Sequence, residues 1–244
     1  MILSITRVFN GARWIAEHLS SVLSICDHAL VLDNHSTDDT VDICNATPHV
    51  TVLSNSSTIL NEAGDKNQLV AEAKRRFNPD WIVFLDADEI LIDYDALLSA
   101  IQSGKAPAYM LHIWSCWNSP SQVRVDGIYG RCWRSSCFDL RQTDGRWVER
   151  SPNGPNLHCN NIPADLQGRA QRAVSPEVRV RHYGYMLKED RLRKYRWYHD
   201  IDPQGLYLAG EDSYRHSIQG DVPEFPAEAR YMHGGPLSIA PFPP

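Results

Sequence analysis

Cysteine is scarce, with six in 244 residues and no two of them spaced Cys-x-x-Cys. A disulfide-stapled miniprotein, a zinc ribbon and a thioredoxin-type motif are thereby excluded. Long apolar runs are missing too: none approaches the ~20 residues that cross a bilayer. The opening Met1-Ile2-Leu3-Ser4-Ile5-Thr6-Arg7 has no extended apolar stretch of the secretory kind. No segment repeats. Basic residues are outnumbered, 24 Lys and Arg against 30 Asp and Glu for a net charge of -6. That deficit disfavours nucleic acid as a partner, because non-specific affinity rests on neutralising phosphates. What is present is ordinary for a globular chain: 43% hydrophobic and 22% charged residues. A soluble, cytoplasmic protein with no transmembrane segment is expected.

The charges are unevenly spread. Residues 1–123 carry 15 acidic side chains and 7 basic ones, whereas residues 124–199 carry 15 basic and 8 acidic. An acidic half followed by a basic stretch can hold a cation and a phosphate ester at one site if folding joins the two; otherwise these are solvated faces.

The first hundred residues alternate strand-like and helix-like runs. Ile2–Arg7, Ala29–Leu32 ending at Asp33, Val50–Leu53 and Trp81–Leu85 ending at Asp86 read as strands. Helices are expected over Ala12–Ser24, from the caps at 34–40 through Cys44, and over Asp65–Phe77, which Asn78-Pro79 closes. Such alternation implies right-handed βαβ crossovers and a mainly parallel sheet with helices on both faces. Ligands bind such sheets at the carboxyl ends of the strands, where Asp33 and Asp86 both fall.

Beyond about residue 105 the segments become shorter and aromatic-rich. Strands are expected at Tyr109–Trp117 and Val178–Tyr183, with a loop at Asn118-Ser119-Pro120 between them and a basic, aromatic helix at Lys188–His199. Prolines at 223, 226, 236, 241, 243 and 244 forbid regular helix, so the end reads as extended. The expected organisation is 1–105, an α/β half; 106–221, a smaller mixed half of the same domain; and 222–244, a Pro-rich tail.

The strongest chemical signal is Leu85-Asp86-Ala87-Asp88-Glu89. A fully apolar strand delivers carboxylates spaced i and i+2 into a turn at the sheet edge. Their hard oxygens suit magnesium or manganese, which in turn hold diphosphate oxygens. Capping and solvation of a strand end is the plain alternative.

Asp33-Asn34-His35-Ser36-Thr37-Asp38-Asp39-Thr40 resembles the "Asp-x-x-Ser-x-Asp-x-Thr" segment of family-2 glycosyltransferases with the GT-A fold. Lys66-Asn67, followed by Asp80-Trp81-Ile82-Val83-Phe84-Leu85-Asp86-Ala87-Asp88-Glu89, is similar to that family's "Arg-Asn … Asp-Trp-Ile-Leu-x-Leu-Asp-x-Asp-Glu" signature. Arg7-Val8-Phe9-Asn10 resembles its "Lys-Asn-Glu", with Gly11 in place of the glutamate. His182-Tyr183-Gly184-Tyr185 with Lys188–Trp197 looks like a "His-Tyr … Lys … Arg-Tyr" segment of its bacterial members.

The resemblance implies a GT-A fold and a metal-dependent transfer, with inversion, from a nucleoside-diphosphate sugar, UDP-sugar favoured. The acceptor would be a glycan, a lipid-linked or another small molecule. It also implies roles. Asp33 would bond the base; Asn10, Lys66 and Asn67 would lie near the nucleotide. Asp86 would contact the ribose or a metal-bound water. Asp88 would bind Mn2+ or Mg2+, with His182 completing the shell. The general base is not cleanly identified: Arg141–Arg150 resembles a stretch ending in "His-Glu", which points to Glu149, although Val148 replaces the histidine. Glu211-Asp212 is another acidic pair, placed after His182. Two other readings stay open: a nucleotidyltransferase acting on sugar phosphates, for which Arg7–Arg13 is a poor Gly-rich basic loop, and a catalytically silent module that binds sugar or nucleotide.

Overall fold

Alternation of side chains along the first strand decides how its neighbours pack. In β1 (Ile2–Val8) the odd-numbered Leu3 and Ile5 face one way, while Ser4, Thr6 and Val8 face the other. The computed structural model describes residues 1–57, 60–149, 159–173, 177–202, 211–231 and 234–243. Within these, β1 is followed by α1 (Ile15–Val22), β2 (His28–Asp33), α2 (Thr40–Ala46), β3 (Val50–Ser54), α3 (Glu62–Arg76) and β4 (Trp81–Phe84). Next come β5 (Glu89–Leu91), α4 (Tyr94–Ser103), β6 (Ala108–Trp117), β7 (Ser119–Arg124) and β8 (Trp133–Asp139). The order closes with β9 (Gln171–Arg172), β10 (Arg179–His182), α5 (Lys188–Ile201) and β11 (Ile239–Pro241). The fold is mixed α/β.

Two compact units divide the chain, and neither is one continuous stretch. The first comprises Met1–His112 and Trp133–Val180, the second Ile113–Cys132 and Arg181–Pro244. In the first unit the strand order is β6-β8-β4-β1-β2-β3. The β4-β1-β2-β3 portion is parallel; β8 joins it antiparallel to both β4 and β6.

One face of this sheet packs Leu3, Ile5, Leu30, Leu32, Ile82 and Phe84 against Ala63, Leu69, Val70 and Ala73 of α3. The other packs Val8, Ala29 and Val31 against Ile15 and Leu19 of α1 and Cys44 of α2. At about 1.5–3 kcal/mol for each fully buried large apolar side chain, these two layers supply the main stabilisation.

Where the elements differ from the sequence reading, local hydrogen bonding explains it. Helix α3 begins three residues earlier than its apolar spacing suggests, because the Asn61 side chain accepts the Gly64 N–H at 2.9 Å and caps it. Helix α1 is shorter than 12–24, since residues 11–14 turn tightly before Ile15. The expected loop at 118–120 is a reversal on Asn118, at φ 65°, after which β7 starts at Ser119. Asn tolerates this left-handed conformation better than most residues.

In the second unit, β7 pairs antiparallel with the end of β6 and with β11, a short strand inside the proline-rich tail. Cations here lie on rings. The fully buried Arg124 stacks 4.9 Å from Trp117 and 4.3 Å from Tyr129. Arg191 lies 4.2 Å from Trp117 and forms an ion pair with Asp221 at 2.6 Å. Arg191 belongs to the basic, aromatic helix α5, yet its side chain is only 2% exposed.

Candidate active site

Parallel pairing carries the two aspartates to one edge of the sheet. Ile5 lies beside Leu30 on one flank and Phe84 on the other, and Val8 lies beside Asp33. Asp33 ends β2, and Asp86 follows two residues after β4 ends at Phe84. Both acids therefore emerge at the carboxyl edge.

The loop after β1 is laced to the segment after β2. The Asn10 N–H donates to Ser36 Oγ at 2.8 Å, the Gly11 N–H to Thr40 Oγ1 at 2.8 Å, and the Ala12 N–H to Asp38 Oδ2 at 3.1 Å. Asn10, at φ 50°, returns the contact: its Oδ1 accepts the Thr37 N–H at 2.8 Å. Three consecutive amides at the approach to α1, donors without intrahelical partners, are thus satisfied by side chains of the Ser-Thr-Asp-Asp-Thr segment. No side chain larger than hydrogen fits at Gly11 without movement, because a Cβ there would sit 2.5 Å from Val8 Cγ2. Asp33 is buried, and both its carboxylate oxygens accept the Ser36 N–H, at 3.3 and 3.2 Å.

The acidic turn is closed on itself. The Glu89 N–H donates to the Asp86 carbonyl at 2.9 Å, and the Asp86 N–H donates to Glu89 Oε2 at 3.0 Å. Glu89 is fully buried, so it needs a counter-charge. Arg134 of β8 provides one: its Nη2 pairs with Glu89 Oε1, and its Nη1 lies 3.2 Å from Asp86 Oδ2. Asp86 and Asp88 themselves are only partly buried.

Beneath the turn sits His18 of α1, wholly buried. Its Nδ1 donates to the Glu89 carbonyl at 2.7 Å, and since a carbonyl only accepts, that nitrogen carries the proton. Nε2 then accepts the Thr6 hydroxyl at 2.8 Å. Burial lowers the His18 pKa to about 4, against the opposing pull of Asp88 and Asp86. The ring at neutral pH is an uncharged strut between β1 and the turn.

The remaining expected residues are engaged as follows. Lys66 is 2% exposed, and its ammonium donates to Cys159 O at 2.7 Å, Asn160 O at 3.1 Å and Asn161 Oδ1 at 3.1 Å. Burial lowers its pKa to about 8, partly offset by Glu62 and Asp86, so it is charged at pH 7. Asn67 clasps the Trp147 backbone, donating to its carbonyl at 3.0 Å and accepting its N–H at 2.8 Å. Glu149 is exposed, with Oε2 accepting from Asn61 Nδ2 at 2.9 Å. Arg7, the basic residue of the first motif, pairs with Asp65 of α3 at 2.8 Å. His182 lies in the second unit, edge-on to Tyr185 with ring centres 5.3 Å apart. The side chains of 211–213 fall outside the described residues.

Among the described residues, no three His, Cys, Asp or Glu side chains are grouped so as to hold a metal ion. The donors present nevertheless fit a hard divalent cation. Mg2+ in particular binds through one or two carboxylates and takes its other ligands from substrate phosphates and water. Asp86 and Asp88 supply that number. Two residues of this turn's machinery, His18 and Arg134, carry no motif. His18 reads in sequence only as one more position on a helix face, and nothing near Arg134 signals its target.

The family model described as glycosyl transferase family 2 matches residues 5–129. The uncharacterized proteins Rv3786c of Mycobacterium tuberculosis and Mb3815c of Mycobacterium bovis are each 28% identical over 220 residues, covering 86% of this chain and 52% of theirs. The chain thus spans about half the length of these curated relatives. Among solved structures, residues 1–349 of Staphylococcus aureus TarS in complex with UDP align with a TM-score of 0.51 and 14% identity, covering 93% of this chain and 71% of that one. The same protein in complex with UDP-GlcNAc aligns with a TM-score of 0.51 and 14% identity, over 89% and 70% of the two chains. At this identity the likeness shows the fold. No helix among the described residues is long and apolar enough to cross a membrane.

Proposed function

The chain belongs to glycosyl transferase family 2, and from that premise we propose that it moves a hexose from a nucleoside-diphosphate sugar, a UDP-sugar in the first instance, to a glycan, lipid-linked or other small acceptor with inversion. The observation that carries this reading is the pair Asp86 and Asp88 on a turn at the carboxyl edge of β4, beside the edge where β2 ends in Asp33. Asp33 and Asn10 then receive the nucleoside, with Asp33 accepting from a base N–H. Lys66, held behind the edge, adds positive potential for the diphosphate, and Asn67 fixes the segment around Trp147. Asp88, with Asp86, would hold Mn2+ or Mg2+, which supplies Lewis-acid neutralisation of the departing diphosphate. Glu149 takes the proton of the acceptor hydroxyl, a role worth roughly 10²–10⁴-fold in rate.

The test is a panel of UDP- and other nucleotide-linked sugars, followed by calorimetry and by release of free nucleotide, with and without Mn2+. Binding of one donor, with its slow hydrolysis or transfer when metal is added, is the expected result. Silence across the panel in both assays overturns the reading.

A further inference from the structure

Arg134 stands apart from the rest of the edge. It comes from β8, past residue 129 where the family match ends, and bridges 48 residues back to Asp86. Its guanidinium meets two carboxylates of the turn, one fully buried (Glu89) and one 44% exposed (Asp86). Its Nε is sealed from solvent and has no hydrogen-bond partner among the described residues. The guanidinium is therefore anchored by Glu89 but incompletely satisfied, and its bond to Asp86 is the long, half-exposed one. A carboxylate oxygen facing a guanidinium at 3.2 Å is a poor ligand for a dication, since the two cations repel and compete for the same oxygen.

We propose that Arg134 is the resident counter-cation of the acidic turn: it keeps Asp86 out of metal coordination until a diphosphate arrives and offers the guanidinium another anion. Arg134 thereby couples the two ligands. Metal alone binds weakly, diphosphate alone is drawn by the guanidinium, and each strengthens the other. Couplings of this kind are typically about 5–150-fold and reciprocal. This inference rests on the donor reading above.

The test compares wild type with the pair Arg134→Met and Glu89→Gln combined. Removing both charges leaves the net charge of the turn unchanged, avoids a stranded buried carboxylate, and keeps an acceptor for the Asp86 N–H. Two titrations are read: Mn2+ alone, by the electron paramagnetic resonance of the free ion, and UDP alone in EDTA, by calorimetry. The double variant is expected to bind Mn2+ about tenfold more tightly and UDP about tenfold more weakly, with Arg134→Lys between it and wild type. Opposite signs distinguish this role from a merely structural one, which weakens both. If wild type binds UDP and the variants match it, or if both affinities fall together, the inference is overturned and the donor reading stands. If wild type binds no UDP with or without Mn2+, both fail.

Discussion

Two acidic segments reach the same sheet edge, 36–40 after β2 and 86–89 after β4, and their side chains do different work. In the first, Ser36, Asp38 and Thr40 accept the amides of residues 10–12, so its polarity is consumed by backbone. In the second, Glu89 is locked inward while Asp86 and Asp88 stay partly exposed, Asp86 facing the Arg134 guanidinium. A segment resembling a family motif thus contains scaffold and chemistry side by side. Backbone amides left open at a loop demand acceptors, whereas carboxylates clustered on a turn demand cations.

That contrast breaks if substitutions in the two segments have the same consequence. With Asp88 as the proposed metal ligand, Asp88→Ala is expected to lower donor turnover about 10³-fold or more, with the thermal midpoint nearly unchanged, because such a ligand is worth several kcal/mol of charge stabilisation. Nucleotide release and calorimetry on one sample check this. With Glu149 as the proposed general base, Glu149→Gln should cost at least about 10²-fold in turnover while leaving UDP affinity intact, since a base of that kind acts on the acceptor and not on the donor.

His18 sharpens the contrast through pH. Its folded pKa of about 4 lies below the ordinary 6.5, so between these values the unfolded chain takes up a proton that the folded chain refuses. Stability contributed by the neutral ring is complete above pH 6.5 and is lost as pH falls toward 4, on the order of 3 kcal/mol in all. Scanning calorimetry from pH 7 to 4.5 should show this decline, and His18→Gln should flatten it. A variant with the wild-type slope would mean that other groups dominate. Thr40→Val is the smallest of the four. Loss of its bonds to the Gly11 N–H and Asp38 should cost about 1–2 kcal/mol by denaturant unfolding. Turnover per folded molecule should stay within a factor of a few. A large fall in activity would place 36–40 with the chemistry.

Much of the edge was legible beforehand because its strands are short apolar runs that stop at a charge. Trp81-Ile82-Val83-Phe84-Leu85 and Ala29-Leu30-Val31-Leu32 announce both β4 and β2 and the acids that follow. Alternation along β1 sends Thr6 to His18 and Arg7 to Asp65. The start of α3 was not legible, because Asn61 precedes the apolar periodicity that marks a helix. Nor was β8: Trp133-Arg134-Ser135-Ser136 has no strong pattern, and its place beside β4 is set by long-range pairing. Lys66 shows a further limit. Similarity marks the position, but only the fold reveals that its ammonium is wrapped by carbonyls from residues 159–160.

The place of β8 carries a practical corollary. A fragment cut at residue 129, where family similarity stops, would strip β4 of its antiparallel neighbour and bare the apolar edge at Trp81, Ile82 and Val83 that pairs with it. Exposed apolar edges of this kind recruit other chains. Such a fragment should precipitate on expression, so the smallest usable piece must run past Asp139.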